Sequence, residues 1–425
     1  MLVDRTERTR LWGVLNRPVI VLSDLHLGPT CPPEASAAAA RVLARHPEHE
    51  LFLMGDTFDL SIDPPRMDPA VSVLGHLRNN PELSRALRNR LERGVSVVFF
   101  AGNHDAQLAQ PHVRGEILAS WGLAESAPLT CGIWCARRAD VHFEHGHIYD
   151  PDNAPTHPLV PPTYKTEPLG VTLMRRVLAP ESALYFAHAH ELTPLKGLGQ
   201  AFVKLGIRAP GLISRYYVEA ARIFVKAKPN SFSEELSRGD HELLAFAQRN
   251  DFDAESLQQL LHSRAVPRHH LRKAVFGRLY LDRSIATAAW WSSSLFGLVT
   301  LQPAFWAISG LGLAYLGVSL SRGKNRYAGS LLDRMRTAAN AAAVLVGARA
   351  VVFGHTHVEE SHRGYVNTGS FAFGGAAGRG YLILDSSGTL LRAHADSDKP
   401  PQKLDVLLPT RPEPPAQSSA NSMVA

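Results

Sequence analysis

The sequence predicts an α/β fold, and two observations lead to that prediction. Short runs of β-branched and aromatic residues each end in a glycine or a polar cluster, as buried strands do where they lead into loops. Helix-like stretches, such as residues 35–44 and 81–92, separate the first of these runs. The predicted strands are residues 18–22, 51–54, 95–100, 141–143, 350–353, 365–366 and 381–384. Strands that alternate with helices indicate a layered α/β core.

The α/β pattern is interrupted once along the chain. We assign residues 1–150 and 345–399 to one α/β domain, and residues 151–344 to a mainly helical insertion between its halves. The insertion begins with a proline-rich stretch and continues with helix-like segments at 211–225 and 233–249. Residues 400–425 have the Pro-, Ser- and Gln-rich composition of a disordered tail.

Composition and cysteine content predict a folded cytoplasmic protein. The chain has 425 residues, of which 45% are hydrophobic and 20% are charged, so it can bury at least one full core. Its first twenty residues carry several charges and no uninterrupted apolar run, so we do not expect a secretory signal. The three cysteines cannot all pair, and the spacing of Cys131 and Cys135 is typical of neither a redox motif nor a zinc site.

The positive charge of the chain is concentrated in the insertion. The formal net charge is +6, and residues 196–283 contain fifteen Lys and Arg against nine Asp and Glu. No recognition-helix or zinc-finger pattern is present, so we do not expect nucleic acid as a partner. Anionic lipid or a small anionic substrate fits this charge distribution better.

Residues 284–321 form an uncharged segment of 38 residues inside the insertion. Gln302 and Pro303 divide it into two halves of 18 residues, each close to the length that crosses a bilayer. Basic residues flank both ends, Arg283 before and Arg322 after, as expected when both ends stay on the cytoplasmic side. Two interpretations remain open from the sequence: a membrane hairpin, or a buried helical pair in the insertion's own core.

Five of the predicted strands end in side chains that bind metals. Open α/β sheets place ligand sites beyond the carboxyl ends of their strands, so these residues should converge on one rim. Carboxylate and imidazole groups without thiolates suit divalent Mn, Fe or Zn, and one Asp can bridge two such ions. The five motifs are Asp24-Leu25-His26, Gly55-Asp56-Thr57-Phe58-Asp59, Gly102-Asn103-His104-Asp105, Glu144-His145-Gly146-His147 and Gly354-His355-Thr356-His357.

The series D-x-H, G-D-x-x-D, G-N-H-D, H-G and G-H-x-H resembles the calcineurin-like metallophosphoesterase superfamily. The resemblance implies a four-layer α/β/β/α sandwich with a large mainly helical insertion, and a catalytic site with two divalent metal ions, Mn first and Fe or Zn as alternatives. It also implies that His104 donates a proton to the leaving group while Asp59 orients its ring. The implied metal ligands are Asp24, His26 and His357 for one ion, Asn103, His145 and His355 for the other, and Asp56 as the bridge.

The second histidine of the H-G-H motif, His147, is left without an assigned role. We assign the ligand to His145 and expect His147 to lie behind it or to face the substrate.

Motif details give a narrower expectation about the substrate. The runs S-D-L-H-L-G, G-D-x-F-D-L and Y-V-N-T-G-S resemble those of bacterial UDP-2,3-diacylglucosamine pyrophosphatases, although those enzymes carry Arg where this chain has His104. We therefore expect attack of a metal-bridging hydroxide on a phosphate ester or pyrophosphate, with a lipid-linked substrate at the cytoplasmic face of the membrane. The alternatives are a soluble nucleotide or phosphoprotein phosphatase, and a non-catalytic scaffold that retains the fold.

Overall fold

The computed structural model describes residues 17–64, 66–181, 183, 194–227, 232–322 and 330–405. The strands are β1 (Val19–Leu22), β2 (Glu50–Leu53), β3 (Val97–Phe100), β4 (Leu129–Ile133), β5 (Cys135–Arg138), β6 (Val141–Glu144), β7 (Ala350–Phe353), β8 (Glu359–His362), β9 (Tyr365–Thr368), β10 (Gly380–Leu384), β11 (Leu390–His394) and β12 (Gln402–Lys403). The helices are α1 (Pro33–Arg45), α2 (Pro69–Asn79), α3 (Pro81–Glu92), α4 (Pro111–Ser120), α5 (Leu169–Leu173), α6 (Pro194–Leu205), α7 (Ala209–Lys226), α8 (Ser233–Arg249), α9 (Ala254–His262), α10 (Arg272–Arg278), α11 (Leu281–Thr300), α12 (Pro303–Arg322) and α13 (Ser330–Val346).

Two sheets contain strands from both sides of the insertion. The seven-stranded sheet has the order β12-β11-β10-β1-β2-β3-β4, in which β1 pairs with β2 in parallel and with β10 in antiparallel fashion. The five-stranded sheet has the order β5-β6-β7-β9-β8, in which β6 and β7 are parallel neighbours. The chain thus leaves the second sheet after β6 and returns to it at β7, beside the strand it left.

The alternation of side chains along the strands creates four layers. In β1, Val19 and Val21 belong to a core shared with the facing sheet, whereas Ile20 and Leu22 pack against helices α1 to α4. On the outer side of the second sheet, Val351 and Phe353 pack against helices α8, α9 and α13. The layer order is therefore helices, sheet, sheet, helices, and the predicted α/β/β/α sandwich is confirmed.

Several helices of the region predicted as an insertion form the fourth layer of the sandwich. Leu243 and Phe246 of α8, Leu257 and Leu260 of α9, and Met335 of α13 share one core with the second sheet. Two smaller cores join α5 and its π-helical extension with α6, α7 and α10. The mainly helical region thus covers the second sheet and also forms cores of its own.

Helices α11 and α12 form an antiparallel pair whose large apolar side chains face outward. Val299 is 75% exposed and Leu311 is 73% exposed. None of residues 284–321, all of which are described, contributes to the hydrophobic cores of the molecule. The interpretation of this segment as a buried core pair therefore does not agree with the structure.

The ends of the sandwich contain strands that the sequence did not reveal. β8 and β12 are edge strands with mostly exposed or half-exposed residues, so they lack an apolar run that would mark them. β12 lies within the predicted tail, where Leu391 and Arg392 of β11 pair with it. Residues 406–425 of that predicted tail lie outside the described residues.

Candidate metal centre

The loops that follow β1, β2, β3, β6 and β7 bring the predicted ligands to one rim. Five of these ligands have left-handed backbone conformations, with φ between 45° and 68°. A left-handed conformation costs a residue with a side chain roughly 1–2 kcal/mol, and such costs are tolerated where the surrounding structure fixes the geometry for function. The five residues are Asp24, His26, Asp56, His355 and His357.

A first metal-binding cluster consists of Asp24, His26 and His357. The Nε2 atom of His357 lies 3.1 Å from Asp24 Oδ1 and 3.1 Å from His26 Nε2. The three side chains each offer one ligand atom, and these atoms lie within 4.8 Å of one another. Burial disfavours charge on His26, and the nearby ring of His104 adds to this, so the pKa of His26 falls to about 4. A neutral imidazole is the form that binds a metal ion.

A second cluster consists of Asp56, His145 and His355. The Nδ1 atom of His145 donates to the carbonyl oxygen of Met54 at 2.9 Å, which directs Nε2 toward Asp56 Oδ2 at 3.2 Å. The Nε2 atom of His355 lies 3.1 Å from Asp150 Oδ2, which leaves Nδ1 as the ring atom for a ligand. Histidine ligands are commonly held in this way through their second nitrogen.

The side chain of Asn103 shows whether the second cluster fits a metal ion. Its Nδ2 atom donates to Asn153 at 3.3 Å, whereas its Oδ1 atom is buried and has no hydrogen-bond partner. A buried carbonyl oxygen without a partner is costly unless something else binds it. Divalent cations bind such oxygens, so the residues of this cluster fit a metal ion.

Two glycines permit the close packing of the ligand loops. A Cβ atom at Gly102 would overlap Asp56 Oδ1, and one at Gly354 would overlap the side chain of Ser23. The hydroxyl of Ser23 in turn donates to Asp24 Oδ2 at 2.5 Å. The absence of a side chain at these positions is therefore a requirement of the site geometry.

His104 and Asp59 form a pair at the edge of the first cluster. The Nδ1 atom of His104 lies 2.9 Å from Asp59 Oδ1, and the hydroxyl of Ser61 donates to the same carboxylate oxygen at 2.6 Å. Burial opposes charge on His104, but the carboxylates of Asp56 and Asp59 outweigh it and raise its pKa to about 9. The imidazole is therefore held in its protonated, proton-donating form.

Asp105 is a buried residue of the G-N-H-D motif for which we predicted no role. Its carboxylate accepts backbone N–H bonds from Asp56, Thr57, Phe58 and Gly102 at 2.7–3.2 Å. Those bonds tie the loop after β2 to the loop after β3. Only the short spacing to Asn103 could have signalled this role, because three of its four partners lie almost fifty residues earlier.

Two further polar residues beside the site, Asp150 and Asn153, were also missed. They follow the H-G-H motif in the proline-rich start of the insertion, where no strand end signals them. His147, the residue left without a role, is buried behind this site, with its ring centroid 5.4 Å from that of His145. Its Nδ1 atom has no hydrogen-bond partner.

Comparison with known proteins agrees with the fold. Residues 17–194 match the family model of the calcineurin-like phosphoesterases. No curated protein and no solved structure matched the chain. The first part of the sandwich is thus similar to the calcineurin-like phosphoesterases, and the family match and the metal-binding clusters together support a metal-dependent phosphoesterase.

Proposed function

We propose that this protein hydrolyses a phosphate ester or pyrophosphate with two divalent metal ions, of which Mn is the first choice. The observation that carries the proposal is that the His104–Asp59 pair adjoins the metal-binding residues. Ligand atoms of His26, Asp59 and His104 lie within 4.8 Å of one another, and the backbone N–H of His104 donates to Asp56 Oδ1 at 2.8 Å. A proton donor thus stands directly beside the residues that would hold the ions.

Seven side chains would bind the two metal ions, and two others would supply and orient the proton donor. Asp24, His26 and His357 would hold one ion, Asn103, His145 and His355 the other, and Asp56 both. When bound, such a pair of ions lowers the pKa of a water molecule and neutralises charge on the phosphoryl group. His104 donates its proton to the leaving oxygen, and Asp59 orients the ring and stabilises its charge. The scaffold alternative is disfavoured, because every predicted ligand is retained.

The direct test is hydrolysis of bis(p-nitrophenyl) phosphate and p-nitrophenyl phosphate by the purified protein with Mn2+. We expect activity that EDTA abolishes and that Asp56→Asn reduces to the EDTA background, because both clusters need the Asp56 carboxylate. Asp385→Asn, in an exposed turn far along the chain from the ligands, is the matched control and should retain wild-type activity. Activity that survives EDTA or Asp56→Asn would contradict the two-metal assignment.

We further propose that the substrate is lipid-linked and that the protein acts at the cytoplasmic face of the membrane. The support comes from the hairpin, defined as helices α11 and α12. By length and composition, residues Pro303–Ser321 of α12 are able to cross a membrane. Large apolar side chains cover the outer surface of both helices, including Leu295, Leu298 and Leu313. An apolar surface of this kind needs a partner.

The inner surface of the hairpin favours a bilayer as that partner. Ser293, Gly297 and Ser309 lie between the two helices, and the hydroxyls of Ser294 and Ser309 are 2.7 Å apart. Water-soluble helical pairs bury large apolar residues and expose polar ones. Helices in membranes instead meet through small and hydroxyl-bearing residues. The hairpin follows the second pattern.

The ends of the hairpin are consistent with a position at the membrane surface. Arg283 donates to the Oγ and carbonyl oxygens of Ser319 at 2.8 and 2.7 Å. These bonds join the first turn of α11 to the last turn of α12. Both ends therefore lie on the same side, and Leu281 at the start of α11 packs against the core shared by α5, α7 and α10. Basic residues near an anionic leaflet each contribute about 1 kcal/mol to binding.

Two experiments test these proposals separately. Full-length protein should fractionate with membranes in low and high salt, whereas a variant lacking residues 284–321 should be soluble and still hydrolyse aryl phosphates. Full-length protein recovered entirely in the soluble fraction at low salt, without detergent, would contradict the membrane proposal. A panel of UDP-diacylglucosamine, CDP-diacylglycerol, cyclic nucleotides and a phosphopeptide tests the substrate class, and a strong preference for the soluble compounds would favour the alternative.

A further inference from the structure

Two residues at the start of the insertion contact the outer atoms of two metal ligands. The Oδ1 atom of Asn153 accepts from Asn103 Nδ2 at 3.3 Å, and Asn153 Nδ2 donates to Asp150 Oδ2 at 2.7 Å. The same Asp150 oxygen lies 3.1 Å from His355 Nε2. A continuous chain of hydrogen bonds therefore joins Asn103 to His355 through two residues that are not themselves predicted metal ligands.

Both contacts fix which atom of the ligand faces the metal site. An amide can present either oxygen or nitrogen, and the bond from Nδ2 to Asn153 selects Oδ1 for the site. An imidazole can present either nitrogen, and the contact of Nε2 with Asp150 selects Nδ1. The unpartnered, buried Oδ1 of Asn103 is the result of this selection.

The insertion holds these two residues rigidly. Asp152, between them, forms ion pairs with Arg268 at 2.7 Å and Arg278 at 2.5 Å, and its carbonyl oxygen accepts from the Gly170 backbone at 2.8 Å. A Cβ atom at Gly170 would overlap Asn153 Oδ1, so helix α5 packs directly against the amide. The amide of Asn153 therefore has little freedom to turn.

We propose that Asp150 and Asn153, here called the clamp, are positioning residues through which the insertion completes the second metal site. The proposal deepens the proposed function and rests on it, because it concerns the ligands of that site. Partners of this kind behind metal ligands typically contribute about 10- to 100-fold in metal affinity. The clamp thus makes the insertion a part of the metal centre.

Metal binding, measured without substrate, tests the clamp. Full-length protein in detergent micelles is freed of metal, titrated with Mn2+ by calorimetry, and analysed for bound Mn after gel filtration. Wild-type protein should bind two equivalents. Asn153→Ala and Asp150→Ala should bind one equivalent with unchanged affinity and the second about 10- to 100-fold more weakly.

Two glycine variants separate positioning from a general loss of stability. Gly170→Ala removes no polar group but displaces the Asn153 amide, so it should weaken the second equivalent as Asn153→Ala does. Gly115→Ala is the matched control, because a Cβ atom there meets no other heavy atom within 4 Å. If Asp150→Ala fails to fold, Gly170→Ala still tests the clamp, because it removes no polar group.

The possible outcomes distinguish the clamp from the proposed function. Two equivalents bound with wild-type affinity by both Asn153→Ala and Gly170→Ala would overturn the clamp and leave the proposed function intact. Wild-type protein that binds no divalent ion would overturn both. Loss of both equivalents in every clamp variant, with an unchanged thermal unfolding midpoint, would also overturn the assignment of the clamp to the second site.

Discussion

The metal-binding rim and the α11–α12 hairpin both depart from the usual rule that polar side chains are exposed and apolar side chains are buried. The rim buries polar groups, and the hairpin exposes apolar ones. At the rim, carboxylates and imidazoles are almost fully buried, as for Asp24 and His26 at 0% exposure. In the hairpin, large apolar residues such as Val299 are exposed while Ser293, Gly297 and Ser309 are buried. Soluble domains ordinarily show neither arrangement without a partner.

The difference between the two regions underlies the two partners proposed above. Buried acceptors and neutral imidazoles are stabilised by cations, and exposed apolar helices are stabilised by hydrocarbon. The same physical argument, a side-chain polarity that does not match its surroundings, supports metal ions as the partner of the rim and lipid as the proposed partner of the hairpin. Substitutions that restore the usual polarity in either region should remove the corresponding partner and leave the other region intact.

The largest effect is expected at the edge of the rim, from His104→Ala. Loss of a positioned proton donor slows turnover by about 10²- to 10⁴-fold, and the content of bound Mn should stay unchanged because His104 is not a predicted ligand. Steady-state kinetics with bis(p-nitrophenyl) phosphate and metal analysis measure the two quantities. His112→Ala, which breaks an exposed His–Asp pair with Asp68, is the control. Loss of one metal equivalent in His104→Ala would mean that this residue is a ligand.

A smaller effect is expected from Gly102→Ala, which leaves every polar group of the rim in place. The new Cβ atom must displace Asp56, and overpacking of this kind typically costs about 1–3 kcal/mol in the free energy of unfolding. Chemical denaturation of the metal-free protein measures this change. Gly75→Ala, where a Cβ atom meets no other heavy atom within 4 Å, should change stability little. If the two variants were equally stable, the rim would be able to accommodate a Cβ atom at Gly102 without a cost in the free energy of unfolding.

On the outer face of the hairpin, Leu298→Ser should weaken membrane binding and leave hydrolysis of soluble aryl phosphates unchanged. Removing one leucine side chain from hydrocarbon costs about 1.5–3 kcal/mol, which corresponds to at least roughly tenfold weaker binding to vesicles. Sedimentation with anionic vesicles measures the binding. Leu244→Ser, at an exposed position of α8 outside the hairpin, is the control. Equal binding of the two variants would argue against contact between lipid and this face.

The smallest effect is expected inside the hairpin, from Ser294→Ala. Hydrogen bonds between hydroxyl groups of membrane helices contribute about 0.6 kcal/mol on average, so stability in detergent should fall only slightly. Ser292→Ala, whose hydroxyl bonds only within its own helix, provides the comparison. If Ser292→Ala lost more stability than Ser294→Ala, the hydrogen bond between the two helices would not be the source of the stabilisation.

The sequence revealed those parts of the molecule that depend on local patterns. All seven predicted strands lie in the two sheets, because buried central strands are continuous apolar runs. The nine predicted site residues lie together, because each follows directly after a strand. Five strands were missed, since none of them is a continuous buried apolar run: β4, β5, β8, β11 and β12. Asp150 and Asn153 were missed, since their roles depend on contacts with residues far away in the chain.

The split of both sheets around the hairpin has a consequence for the timing of biosynthesis. Each metal-binding cluster takes residues from before and after the hairpin, since His355 and His357 follow it. At about 5–20 residues per second, a ribosome needs roughly 10–40 s for the roughly 200 residues between His145 and His355. The apolar hairpin is therefore synthesised before either cluster can close. In the proposed membrane-bound protein, the hairpin would therefore be available to lipid before the metal-binding clusters can form.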